Sequence, residues 1–259
     1  SILMSFYYRI DMVLLSNLIP GAVGETYVGI YAHSFRIIEA LNNFAYLFAV
    51  LLLPLFARLI SENKSVNEYV KISTDFLVVF VFTFVTMILY YAFPIMDVLY
   101  KDEIALSAKV FKILIFSLPG MALSYVYGTL LTANGSLKKL NIIASIGMIL
   151  NVSLNLLLIR KINIVGSAIS SVIAHTTVIT LQIITVVKMF DIKFNFKTIA
   201  TKLFFIISLF ITGFLILKFT SLEWYYKMLI HLFVAFILSV IFKLIDIKGL
   251  IQLIKAKEE

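Results

Sequence analysis

Cysteine is absent from all 259 residues, which excludes a disulfide framework, thiol chemistry and cysteine-ligated metal sites. Charge is scarce as well. Asp, Glu, Lys and Arg make up 14% of the chain against 62% hydrophobic residues, and the mean hydropathy is +1.05. An ordinary soluble domain carries about 25% charged residues, so this composition belongs to a polytopic membrane protein. Histidine is rare and scattered: His33, His175 and His231 lie in separate apolar segments, without the i,i+4 spacing of a helical metal site. Phosphate-binding loops are missing too, since NGS is a turn signal and GAVGE lacks the strand and helix context of a nucleotide-binding loop. No enzyme motif is present. The formal charge of +8 is spread between apolar segments, where membrane topology accounts for it, and neither a fold motif nor a continuous basic surface supports a nucleic-acid partner.

What is present is a series of apolar runs. About 20 apolar residues cross the hydrocarbon core, and about eight such spans can be placed, at 2–19, 27–58, 72–96, 108–133, 140–160, 165–188, 203–219 and 225–243. The expected fold is all-α, a polytopic transmembrane helix bundle. Pro20-Gly21 ends the first span, and Pro54 falls at a position where it can kink the second. Gly120, Ser124, Gly128 and Thr132 form a stripe of small residues on the fourth, which reads as a close-packing face. Asn141, Ser145, Asn151 and Asn155 recur on one side of the fifth, as interhelical hydrogen-bonding groups or as a hydrated wall. Spans seven and eight are rich in Phe, Leu and Ile and poor in polar residues, so they are expected to lie outside any central cavity. The tail from 247 to 259 reads as an amphipathic helix on the membrane surface. The chain begins Ser-Ile-Leu inside an apolar segment, and an amino-terminal truncation is expected.

Lysine and arginine set the orientation. The links after spans two, four and six and the carboxyl tail hold 13 of them, and the opposite side holds 7, which places the carboxyl terminus in the cytoplasm. Arg160-Lys161 runs against this bias.

The ionisable residues inside the apolar runs carry the functional expectation. In the stretch from Tyr27 to Arg58, Gly29, Ala32, Arg36, Glu39, Asn43, Tyr46, Pro54 and Ala57 share one helical face. Charges near the bilayer centre cost about 2.5–3.5 kcal/mol each on insertion scales, so Arg36 and Glu39 one turn apart mark a functional site. Asp11 on the preceding span can meet them across a short link. Two readings stay open: an internal salt bridge that lets the charges insert, or an anion-binding Arg36 beside carboxylates that take up H⁺ or Na⁺. Tyr8, His33 and Asn43 complete the candidate cavity set.

RIDMVLLSN followed by VGIYAHSFRIIEALNNFAYLFAVLLLPLFARL resembles the start of the carboxyl-terminal lobe of Wzx-type polysaccharide flippases. These belong to the multidrug/oligosaccharidyl-lipid/polysaccharide exporter (MOP) superfamily. LLTANGSLKKLNIIASIGMILNVSLNLLLI and VGSAISSVIAH resemble later helices of the same lobe. The resemblance implies a six-helix lobe over 1–190, two additional helices over 191–246 and the cytoplasmic tail over 247–259. It implies a bacterial inner-membrane transporter that flips undecaprenyl-diphosphate-linked oligosaccharide by alternating access, with membrane lipids and a missing amino-terminal lobe as partners. It also places Asp11 and Arg36 where the family carries membrane-embedded charges. A cation-coupled multidrug or metabolite antiporter and a lipid II flippase are the alternatives within the superfamily; a membrane glycan polymerase or acyltransferase is a lesser one outside it.

Overall fold

The computed structural model describes residues 2–100, 102–192, 195–246 and 249, with side chains from Ile10 onward. Tyr8's side chain and the tail expected over 247–259 therefore lie outside the described part. All the regular structure among these residues is helical: α1 (Ile2–Leu18), α2 (Ala22–Ser61), α3 (Asn67–Leu99), α4 (Ile104–Leu114), α5 (Ser117–Ala133), α6 (Leu137–Phe190), α7 (Phe196–Phe219) and α8 (Trp224–Ile241). In hydrocarbon every backbone N–H and C=O must be satisfied within the protein, and a helix achieves this segment by segment. The protein is a multi-pass membrane protein.

Among the described residues six helical segments, with the folded-back α6 counted once, are long and apolar enough to cross a bilayer, against the eight expected from the sequence. Two differences account for the count. The first span forms a 17-residue helix that ends, as expected, ahead of Pro20 and the positive-φ Gly21 (φ 79°), and it is short for a crossing. Spans five and six are joined in the 54-residue α6, whose helical geometry is broken only at Ile162 and Asn163. A straight helix of that length would extend about 80 Å. It does not remain straight. A Cβ on Gly166 would overlap the Leu158 carbonyl, so the chain folds back at Asn163 into two arms packed backbone to backbone. Asn163 takes φ 52° and ψ −137°, a reversal geometry that Asn tolerates and β-branched residues do not.

Other expectations also change in detail. Span four is two helices, α4 and α5, separated by a short break at Ile115–Phe116. Helix α2 continues through Pro54 to Ser61. The small-residue stripe on α5 is a packing face: a Cβ on Gly120 would come within 2.7 Å of the His175 carbonyl oxygen on α6. Helix α3 is the most enclosed of the apolar segments, and the large buried side chains Phe56, Phe111 and Tyr127 belong to the core that α2, α3, α4 and α5 share.

Helices α7 and α8 make their main contacts with α3 and with each other. Tyr90 on α3 donates its hydroxyl to the Phe210 carbonyl at 2.7 Å, and Thr86 shares a 2.9 Å hydrogen bond with His231 Nε2. Lys202 pairs with Asp75 at 2.7 Å. Outwardly both helices present exposed apolar side chains such as Phe204, Ile211, Phe233 and Phe236, a surface suited to lipid.

The turn at Asn163 makes a direct stability test. Asn163→Gly is expected to leave the melting temperature in detergent unchanged or slightly higher, whereas Asn163→Val should cost about 1–3 kcal/mol through left-handed strain. Equal stability of the two variants would contradict a sharp reversal there.

Candidate functional site

Asp11 is an acidic side chain in the middle of an apolar helix, and such a group must find donors inside the protein. It is 3% exposed and is surrounded by polar groups. Tyr31 on α2 donates its hydroxyl to Oδ2 at 2.8 Å, Ser171 on the second arm of α6 donates to the same oxygen at 2.6 Å, and Asn155 on the first arm donates Nδ2 to Oδ1 at 2.7 Å. Tyr31 and Ser171 also lie within 2.9 Å of each other. The Asn155 amide reaches the Asn151 carbonyl and side-chain oxygen at 2.9 and 3.1 Å, while Asn155 Oδ1 is buried without a partner. One carboxylate thus ties together α1, α2 and both arms of α6. Residues 155 and 171 would be about 24 Å apart on a straight helix, so the fold-back at Asn163 creates the cluster.

Two hydroxyls and one amide N–H donate to the single carboxylate, so the cluster is arranged to hold its negative charge and is unsuited to softer transition metals. Among the described residues no group of three or more His, Cys, Asp or Glu could hold a metal ion.

The other sequence-selected residues occupy a different surface. Arg36, Glu39 and Asn43 are all exposed, on the face of α2 turned away from the bundle, with Tyr46 continuing the line. Arg36 is five residues beyond Tyr31, about 140° around the helix and 7.5 Å along it, so the structure does not bring it to Asp11. The ion pairs among the described residues are Lys64–Glu62 and Lys202–Asp75, and neither involves Arg36 or Glu39. The salt bridge that would have neutralised these charges within the bundle is not formed. His33 is half-buried and stacks on Tyr100, with ring centroids 3.6 Å apart. On the buried side of the same helix, Asn42 donates to the Tyr125 hydroxyl at 3.2 Å, so the two adjacent asparagines have opposite environments.

Sequence reasoning selected Asp11 but paired it with the wrong face of α2. Tyr31 escaped notice because its aromatic ring reads as apolar packing, although its hydroxyl is the part that matters. Asn151, Asn155 and Ser171 were visible only as polar or small stripes on two spans. Their i,i+4 spacing gave a face; the partner came from the turn.

Comparison with known proteins bears on this arrangement. The MatE family model matches residues 1–157, which contain α1 to α5 and the first part of α6. No curated protein matches the sequence. A solved structure of the lipid II flippase MurJ in an inward closed conformation matches with a TM-score of 0.73 at 16% identity. The match covers 95% of this chain, a share that includes α7 and α8, and 52% of that one. The chain therefore spans about half the length of this structural neighbour.

The Asp11 cluster predicts coupled losses. Tyr31→Phe and Ser171→Ala should each cost about 1–3 kcal/mol, by removing a donor from a buried carboxylate. In an Asp11→Asn background each should cost less, and thermal unfolding of single and double variants measures the difference. Strictly additive losses would show that these groups do not act on one carboxylate.

Proposed function

The chain belongs to the MatE family, within the MOP superfamily, and from that membership we propose that it is the carboxyl-terminal part of a bacterial inner-membrane flippase. Its substrate is an undecaprenyl-diphosphate-linked oligosaccharide, a precursor of surface polysaccharide such as O-antigen or other lipopolysaccharide glycan. The work is translocation by alternating access, without a chemical step. Residues 1–190 act as one lobe, 191–246 as an accessory pair, and the carboxyl terminus lies in the cytoplasm.

The observation that carries the reading is the exposed row Arg36, Glu39, Asn43 and Tyr46 on α2. Arg36 lies about 21 Å from the start of a helix about 60 Å long, well inside its apolar length. Facing lipid, Arg36 and Glu39 would each cost several kcal/mol, and their polar neighbours would gain nothing. Facing a hydrated cavity shared with a second lobe, they are solvated and available. A guanidinium there presents a planar fork to the oxygens of a diphosphate or of an acidic sugar, while Glu39 tunes its position. Asp11 serves a separate purpose in this reading. Its buried carboxylate takes up the coupling ion, H⁺ or Na⁺, and links occupancy to the packing of α1 against α6.

A second reading, lipid II transport, is favoured by one observation: the likeness to MurJ runs through α7 and α8, beyond the part matched by the family model. Both readings share a diphosphate-linked lipid substrate, and the sugar distinguishes them.

Replacing Arg36 by Ala should abolish surface polysaccharide at normal protein abundance in cells whose own copy is deleted, with Arg36→Lys partly active. In the same cells Asp11→Asn should leave the protein folded and remove the dependence of output on the ion gradient. Full polysaccharide output from Arg36→Ala would overturn the cavity role.

A further inference from the structure

Away from the α2 face and the Asp11 cluster, a cavity of about 360 Å³ opens where α3 and α7 begin. It is lined by Asn67, Glu68, Lys71, Asn195, Thr198 and Lys202, and Tyr127 of α5 forms part of its wall. This is the membrane face at which α2 and α6 end, so the cavity lies at headgroup level. Two helix amino termini converge on it. At the start of α3 the Asn67 N–H donates to Ser65 Oγ at 3.3 Å, and α7 starts at Asn195, which accepts from the Lys197 N–H at 2.9 Å. At α7 the Lys197, Thr198 and Ile199 N–H groups are already bonded to Asn195, so what this end offers an oxyanion is the partial positive charge of the helix dipole.

The charges around the cavity are balanced in a particular way. Lys202 is engaged with Asp75 at 2.7 Å and is largely buried. Lys71 and Glu68 sit three residues apart on α3, both exposed, and form no ion pair with each other or with any described residue. One uncommitted cation and one uncommitted anion therefore border the same opening. An anionic headgroup would satisfy the first and be repelled by the second; a zwitterion satisfies both. Below the opening, α7 makes its main contacts with α3 and α8 and not with α5 or α6, and its exposed Ile199 and Leu203 offer an apolar wall at acyl-chain depth.

We propose that this cavity is a binding site for a zwitterionic phospholipid carrying a primary amine, of the phosphatidylethanolamine class. Its phosphate sits at Lys71 and the α7 amino terminus, its ammonium donates to Glu68, and an acyl chain lies along α7. The bound lipid fills the side of α7 that the protein leaves uncovered, and fixes the α7–α8 pair on α3 alongside the Lys202–Asp75 bridge. A choline headgroup has no N–H to donate to Glu68 and binds less well. The site is independent of the transported substrate.

Native mass spectrometry of delipidated protein mixed with phosphatidylethanolamine, phosphatidylglycerol and phosphatidylcholine of identical acyl chains tests this. One phosphatidylethanolamine should be retained preferentially, and Lys71→Ala should lower its retention about tenfold, a typical effect of losing one charged contact. Lys138→Ala, an exposed lysine outside the cavity, should change nothing. Glu68→Gln should erase the preference over phosphatidylcholine while leaving retention of lipid itself. Equal retention of all three lipids, or indifference to Lys71→Ala, would overturn the proposal. So would displacement of the lipid by soluble phosphoethanolamine, which would make this a free phosphoester site. Lys71 and Glu68 are exposed, so these variants do not threaten the fold.

Discussion

A buried carboxylate in an apolar bundle is tolerable only if the protein brings donors to it, and Asp11 imposes that constraint on α1, α2 and α6. Removing an ionised group from water costs several kcal/mol even after relaxation. The three hydrogen bonds from Tyr31, Ser171 and Asn155 offset that cost, and they require α1, α2 and both arms of α6 to converge on one point. Convergence in turn requires the reversal at Asn163 and the absence of a side chain at Gly166. The orientation of α2 follows as well. With Tyr31 turned inward to Asp11, the face bearing Arg36, Glu39 and Asn43 must turn outward.

That division of α2 gives the molecule two polar regions with different chemistry. The inward one is enclosed and made of hydroxyl and amide groups around a single carboxylate. The outward one is open, contains both signs of charge and suits a large charged headgroup. Both lie on the same helix, so in the proposed alternating-access cycle a change in the charge of Asp11 would act on the helix that presents Arg36. Helices α7 and α8 stand apart from this linkage, held to α3 by Tyr90, Thr86 with His231, and Lys202 with Asp75.

Much of this was legible in the sequence, for identifiable reasons. Hydropathy announced a membrane bundle because the bilayer tolerates few alternatives. The lone charges stood out because their insertion cost is high. The outward face of α2 followed from helical periodicity alone, since Gly29, Arg36, Glu39 and Asn43 recur at that period. What periodicity does not encode is which helices meet. Asp11 was paired with Arg36 because the two spans are consecutive, whereas its real partners come from residues 140 to 160 positions away and from a tyrosine whose hydroxyl is hidden in an apolar pattern. The number of crossing segments was overstated by two because α1 has only 17 residues and spans five and six are the two arms of the single α6; both turns, after Leu18 and at Asn163, lie where the spans were expected to end.

The central claim is that the Arg36 face of α2 looks into water at membrane depth. Because the chain contains no cysteine, single substitutions report accessibility without background. Glu39→Cys and Asn43→Cys should react rapidly with a charged, membrane-impermeant thiol reagent in intact membranes, while Ile207→Cys on the lipid-facing side of α7 should stay unmodified. Protection of the two α2 positions to the level of Ile207→Cys, in protein of normal abundance and stability, would contradict the account.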